Sequence, residues 1–413
     1  MATDVRMAAN VRRGAAAGLL GAAFAVCAPA QDYDPSDDLR VFRQRHSDVY
    51  KQLKSERNRL SGELRRREAA GEPVAYAKQV LHEAKWLISY TAEYDRAAER
   101  LADLRRSLEA GAAQAVEQAE DGSYAPGCQE WFFRLDLSLD RLILLNALGQ
   151  KPPRPLTLLE RVNSPERLAA YFDSILISDI PATGRDHRKE LNFSAAALAR
   201  LIPGAVESGF SFHPELEQAL WRYLDDRWQD PQTGYWGAWY RKDGRVIKTA
   251  DLSITFHIVS YRAGRVRRWP QIIATTLAIR ERDYPFGWLE NGRRSNHHHY
   301  DVVTLLRHGW PHMTEAQRAE SRTRIDEMLA WCLAETIRPD GTFDGDASDG
   351  TPEAFYFGVS FLDEIGCFDA QRRFWTDREL PEAEALRQRL LRAVMRLNMT
   401  DEHTLFAFGK LTR

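Results

Sequence analysis

Glycine turns recur along most of this chain at a nearly constant spacing. Gly122 (Asp-Gly-Ser-Tyr), Gly184 (Ala-Thr-Gly-Arg), Gly234 (Gln-Thr-Gly-Tyr-Trp), Gly287 (Pro-Phe-Gly-Trp) and Gly341 (Pro-Asp-Gly-Thr-Phe) lie 62, 50, 53 and 54 residues apart, the differences of successive glycine numbers. Each follows an apolar stretch of helical period and precedes a polar loop with a second such stretch. The clearest units run from Leu216–Gln229 through Gly234 to Leu252–Tyr261, from Gln271–Arg282 through Gly287 to Val302–His308, and from Ile325–Ile337 through Gly341 to Glu353–Ile365. A sixth turn is expected at Asn398-Met399-Thr400, where the glycine is missing. A period near 50 with two helices per unit is the pattern of a helical-hairpin array. No segment alternates with period two for long enough to build a sheet.

The repeats start near residue 119. Upstream, Leu39–Ala70 is charged and helical, Gly71-Glu72-Pro73 interrupts it, and Val74, Ala77, Val80, Leu81, Ala84, Leu87 and Ile88 form a stripe of 3.6-residue period. Ala92–Glu117 continues with Leu101, Leu104 and Leu108 on one face. Residues 31–118 are therefore expected to form a helical hairpin region packed on a repeat domain spanning 119–413. Residues 1–30 have the form of an export signal: Arg12 and Arg13, an apolar run from Gly14 to Val26, and Ala28-Pro29-Ala30 before Gln31. That run is too short for a membrane span, and no later stretch approaches one. A net charge of −2 gives no basic field for nucleic acid. Cys128, Cys332 and Cys367 would remain after cleavage, which allows one bridge at most and is no disulfide framework.

Gln229-Asp230-Pro231-Gln232-Thr233-Gly234-Tyr235-Trp236 matches the Gln-x4-Gly-x-Trp repeat of squalene-cyclase-like proteins, and Arg338-Pro339-Asp340-Gly341-Thr342-Phe343 resembles the turn of that superfamily and of six-hairpin glycosidases. The resemblance covers residues 120–413. It implies an all-α fold in which five or six helical hairpins close into an α/α toroid. The catalytic Asp-x-Asp-Asp of squalene cyclases is absent, and Asp225-Asp226-Arg227-Trp228-Gln229-Asp230 has one residue too many for the metal motif of terpene synthases.

In a toroid the loops entering the inner helices gather at one mouth. The polar residues after each glycine turn are Arg188, Glu190 and their neighbours, then Lys248 and Asp251 with His257 further in, then Asn296-His297-His298-His299-Tyr300-Asp301, and then Asp344, Asp346, Asp349 and Glu353. The His/Tyr cluster admits three readings. A histidine and Tyr300 could transfer protons while Asn296 and Arg188 hold an anion, His297 and His299 could bind a metal with Asp251, or the histidines could cap a helix and fill polar gaps. The first resembles toroid polysaccharide lyases, whose Asn-Asn-His segment is similar to Ser295-Asn296-His297. Asp251 opens a helix, so an N-cap role competes with a catalytic one. Asp344-Gly345-Asp346-Ala347-Ser348-Asp349-Gly350 departs from Ca²⁺-loop spacing, and turn chemistry accounts for most of it.

Residues 1–30 imply export, and the resemblance implies a carbohydrate-active enzyme that acts by β-elimination on a uronic-acid polysaccharide or oligosaccharide; no cofactor or resident metal is expected. His297, His299, Tyr300 and Asp251 are the catalytic candidates. Asn296, Arg188, Trp236, Trp288, Glu190 and Asp344 are the candidates for holding substrate. A glycoside hydrolase using Asp251 with Asp344 or Glu353, and a non-catalytic toroid binding a glycan or lipid, stand as alternatives.

Overall fold

The computed structural model describes residues 33–109, 117–345, 350–399 and 401–413. The export signal expected over 1–30, and Asp346 and Asp349 of the acidic loop, lie outside the described residues. Helix accounts for 62% of the structure and strand for 4%.

The N-terminal region consists of α1 (Pro35–Arg45), α2 (Ser47–Ala69), α3 (Ala75–Tyr90) and α4 (Tyr94–Glu109). The expected hairpin is thus the closing pair of a larger assembly: α3 packs on α4, and α2 lies against both. The stripe anticipated on α3 is buried, with Val80, Leu81, Ala84, Leu87 and Ile88 in the core. The long charged segment before it is divided at His46, where the backbone leaves helical geometry. Asp34 accepts the Ser36 N–H and Pro35 occupies the first turn, which places the start of α1.

The second region contains α5 (Trp131–Ala147), α6 (Pro165–Leu176), α7 (Ile180–Thr183), α8 (Arg188–Leu201), α9 (Leu216–Arg222), α10 (Leu252–Tyr261), α11 (Trp269–Ala278), α12 (Asn296–Gly309), α13 (Glu315–Trp331), α14 (Thr351–Glu364), α15 (Ala383–Val394) and α16 (Glu402–Leu411). One series packs neighbour on neighbour: α5 on α8, α8 on α10, α10 on α12, α12 on α14, and α14 on α16. The helices between them flank this series, α6 against α8 and α9, α11 and α13 against α12, and α15 against α16. Both α9 and α13 end in a wide turn, Tyr223–Trp228 and Cys332–Thr336, just before their glycine loops.

A three-stranded sheet is the only one among the described residues. It pairs β1 (Ile177–Ser178) parallel to β2 (Trp239–Lys242), and β2 antiparallel to β3 (Arg245–Lys248). Asp243 and Gly244 both have positive φ, 49° and 72°, as the two-residue turn of such a hairpin requires.

The repeat is visible in hydrogen bonds as well as in spacing. Trp236 Nε1 donates to the Leu224 carbonyl at 2.8 Å, and Trp288 Nε1 donates to the Thr276 carbonyl at 2.9 Å, each reaching 12 residues back. Trp236 is fully buried and Trp288 nearly so, and buried Phe343 packs edge-on to Phe355. Gly234 and Gly341 have φ of +71° and +86°, and a Cβ on Gly234 would lie 2.8 Å from the Ile272 nitrogen. Gly287 has no positive φ; it is excluded from bearing a side chain by the Arg282 backbone pressed against it. Trp236→Phe and Trp288→Phe should each destabilise by roughly 1–3 kcal/mol, since each removes a buried indole hydrogen bond and part of a packed ring. Chemical denaturation finding one variant neutral and the other costly would show that the two positions are not equivalent.

Candidate functional site

The N-termini of α8, α10 and α12 bring three sequence-distant segments together. Arg188, the first residue of α8, donates from Nε to Asp251 Oδ2 at 2.5 Å and from Nη2 to Oδ1 at 3.2 Å. Asp251 also caps α10, accepting the Ile254 N–H at 2.9 Å, and is wholly buried. The carboxylate thus does two jobs that the sequence offered as rivals: it is a cap and a member of the polar cluster. One turn along, Asn192 Nδ2 donates to Ser253 Oγ at 3.0 Å.

Asp301 on α12 completes this group. Its Oδ2 accepts from the Tyr284 hydroxyl at 3.1 Å and lies 3.9 Å from His297 Nε2. Burial pushes the Asp301 carboxyl well above its ordinary range, and the nearby Asp251 charge pushes the same way. Tyr284 stacks face to face on His298 at 3.9 Å. On the side away from α12, Arg188, Tyr284 and Asp186 line a cleft of about 330 Å³ that α1 borders through Pro35, Leu39 and Arg43.

A second set of groups lies along the packed series α8, α10, α12, α14 and α16. His297 and Tyr300 are three residues apart on α12 and so share a helix face. His257 and Tyr261 do the same on α10, with His257 Nδ1 3.1 Å from the Tyr261 hydroxyl. Phe256 meets Tyr300 edge-on at 5.2 Å, and Phe357 stacks on His297 at 4.0 Å. Tyr356 of α14 contacts His403 and Phe406 of α16. Three cations rest on aromatic rings of the series: Arg200 over Tyr261 at 5.0 Å, Lys189 over Phe193 of α8 at 5.0 Å, and Lys410, which also pairs with Asp363 at 3.1 Å, over Tyr300 at 5.4 Å. His257, Tyr261, Tyr300, Tyr356 and Phe357 are partly buried, and the His297 side chain is 37% exposed, so a ligand can reach this face.

The protonation states are set by burial. Desolvation lowers His257 to about 4 and His297 well below the usual imidazole range, with each further depressed by a neighbouring positive or imidazole group. Desolvation raises Tyr261 to about 12 and Tyr300 well above its ordinary value, while adjacent phenols and carboxylates add to the rise at Tyr300. At neutral pH the face therefore presents neutral imidazoles, which accept protons, beside intact phenols, which donate them.

The remaining candidates lie elsewhere. His299 is two residues from His297, which turns it to the opposite side of α12; it is buried against Trp331 and Phe361. The metal reading, which needs His297 and His299 to converge with Asp251, has no geometric basis, and no cluster of three or more metal-ligating side chains occurs among the described residues. Asn296 donates to Thr336 Oγ1 at 3.0 Å, against the end of α13. Glu190 is held by Arg185 and His187 at 3.3 and 3.2 Å. Asp344 accepts from Arg338 at 3.0 Å. Trp236 is fully buried and Trp288 6% exposed, each with its indole N–H bound to a backbone carbonyl, so neither is an open stacking platform for a sugar. Asp301 was among the polar residues expected after the fourth glycine turn, whereas Tyr284, Tyr261 and Tyr356 were not singled out as site residues in the sequence. The four-residue interval between His257 and Tyr261 was the available signal for that pair. Cys128, Cys332 and Cys367 are buried and unbridged.

No family model, no curated protein and no solved structure matches the chain.

Proposed function

We propose that this chain is an exported carbohydrate-active enzyme whose inner helices close into an α/α toroid, and that it cleaves uronic-acid-containing polysaccharides by β-elimination. The observation that carries this reading is the inner face on which neutral His257 and His297 lie beside protonated Tyr261 and Tyr300. Elimination requires such a combination. A base takes the C5 proton of the uronic acid, a cation holds the carboxylate as charge develops on it, and the C4 oxygen leaves with a proton from an acid while the C4–C5 double bond forms. On this reading His297 acts as the base and Tyr300 as the acid. Arg200, resting on the Tyr261 ring, supplies positive charge on the same face, whereas Lys410 is already paired with Asp363 at 3.1 Å. Half-buried rings are suited to stacking on sugars.

Hydrolysis by two carboxylates is less well supported. Asp251 is enclosed and engaged by Arg188, and Asp301 is buried beneath Tyr284, so neither reaches the inner face as an open acid. Arg188 and Asp251 serve on this reading to set the entry of α8 and α10, and through them the positions of the two His/Tyr pairs.

The test is a panel of uronic-acid polysaccharides with the wild type and three variants. His297→Ala and Tyr300→Phe should fold normally and lower turnover by roughly 100-fold or more, the usual scale for losing a general acid or base. His299→Ala should instead lower the melting temperature, because it empties a buried site. Product should absorb in the ultraviolet through its conjugated double bond. With His297 depressed below about 6.5 and Tyr300 raised above about 10, the rate should be flat between those limits and fall only outside them. Products with new reducing ends and no such absorbance would assign hydrolysis, and fully active His297→Ala and Tyr300→Phe would move the chemistry elsewhere.

A further inference from the structure

A small cavity opens on the flank of the fold away from the His257/His297 face, between the end of α11, α12 and α13. It measures about 90 Å³ and is lined by Arg280, Arg294, Arg324, Glu327, His299 and Trp288, among others. That equals about three water molecules at roughly 30 Å³ each, room for a small ion and not for a sugar ring.

Three carboxylates match its three guanidiniums in number, but they are unevenly placed. Glu327 is shared by two of the three guanidiniums, with Arg324 Nη1 3.0 Å from both its oxygens and Arg294 Nη2 at 3.6 Å. Glu281 pairs with Arg280 but its side chain is 80% exposed, so its charge is largely screened. Glu320 takes the outer edge of Arg280 at 3.3 Å. Two polar atoms here lack any hydrogen-bond partner although buried: Arg324 Nε and His299 Nδ1. Buried groups of this kind ordinarily find partners, and these two belong to side chains lining one cavity. A guanidinium Nε is a donor only, and an imidazole Nδ1 can be one. Paired donors beside further guanidiniums suit an acceptor bearing negative charge.

We propose that this cavity binds a tetrahedral oxyanion, sulfate or phosphate, held by Arg324 and His299 with Arg294 and Arg280 around it. The site is independent of catalysis. His299 lies on the reverse side of α12 from His297, so an ion here would tie α12 to α13 behind the inner face. Burial, and after it the Arg294 charge, lowers His299 to about 3, so the imidazole is neutral at ordinary pH and would meet an anion as a hydrogen-bond donor and not as a cation.

The experiment uses the full chain in chloride buffer of constant ionic strength, titrated separately with sodium sulfate and sodium phosphate. Calorimetry and thermal melts are the readouts. Saturable binding with a matching rise in melting temperature is expected for at least one ion, and the two arms identify which. Arg324→Gln, at a partly exposed position, should weaken binding at least tenfold without loss of fold. His299→Phe, which retains an aromatic ring in the core, should do the same if it folds. A melting temperature that follows ionic strength alone, no saturable heat with either ion, or an Arg324→Gln variant binding as tightly as wild type would overturn the proposal, leaving the cavity to water.

Discussion

Arg188→Met should destabilise the protein by about 3–5 kcal/mol, the scale for removing one partner of a buried ion pair. Asp251 is fully enclosed and its two oxygens are divided among Arg188 Nε, Arg188 Nη2 and the Ile254 N–H. Methionine fills most of the space of the arginine stem but leaves a carboxylate with one backbone donor in a site closed to water. Arg188 itself is charged at any accessible pH, since its pairing with Asp251 raises a pKa already above the neutral range. The reverse variant, Asp251→Asn, should cost less than Arg188→Met on the carboxylate side because the amide oxygen still accepts the Ile254 N–H. The double variant Arg188→Met/Asp251→Asn should recover part of the loss, because no uncompensated charge then remains. Urea denaturation of the four proteins gives the coupling energy as a cycle. A coupling near zero would mean that water reaches the pair and that it does not hold α8 to α10.

How far the sequence discloses this arrangement depends on the range of the interaction. Helix existence was legible, because apolar period and glycine turns are local: the stretch 252–261 read from periodicity is the extent of α10. The convergence of Arg188 with Asp251 was legible too, although they are 63 residues apart, because both follow glycine turns by a short interval. What could not be seen was which side of a helix each residue of a run takes. Asn296, His297, His298, His299 and Tyr300 are contiguous, yet a rotation of about 100° per residue sends Asn296 to Thr336, His297 to Phe357, His298 to Tyr284 and His299 to Trp331. A composition-rich run on a helix is therefore dispersed by folding, whereas His257 and Tyr261, spaced at four, are brought together. Tyr284 was hidden for another reason. It sits before its glycine turn and reaches Asp301 from a loop, a placement without sequence period.

The same burial that keeps the histidines neutral makes the fold sensitive to acid. His298 and His299 are almost wholly buried, and desolvation lowers them to about 4 and about 3 from an unfolded value near 6.5. Each therefore takes up about one proton on unfolding at pH 5. A group with a depressed folded pKa leaves stability intact above its unfolded pKa and removes it as pH falls toward the folded one. Two such protons correspond to a slope of about 3 kcal/mol per pH unit below roughly 6.5. His257, lowered to about 4, and His82, lowered to about 3 chiefly by burial, act in the same direction. Asp301 acts oppositely: its raised carboxyl pKa means that its own contribution improves as pH falls through its folded value toward 3.8. Asp186 and Glu290, also raised chiefly by burial, act with Asp301, but six depressed imidazoles, His297 and His308 among them, outnumber these three carboxyls and leave acid destabilising. Against a total stability of about 5–15 kcal/mol for a typical domain, the fold should be lost by about pH 4. Denaturant midpoints measured at intervals from pH 7 to pH 4 should fall steadily, beginning near 6.5 and not at carboxylate pKa values. His299→Phe should shift the acid midpoint downward relative to its own stability at pH 7, because one of the titrating groups is gone. A midpoint unchanged down to pH 5 would mean that these imidazoles are protonated in the folded protein, with anions or water beside them. The neutral His297 on which the elimination chemistry depends would then lose its physical basis as well.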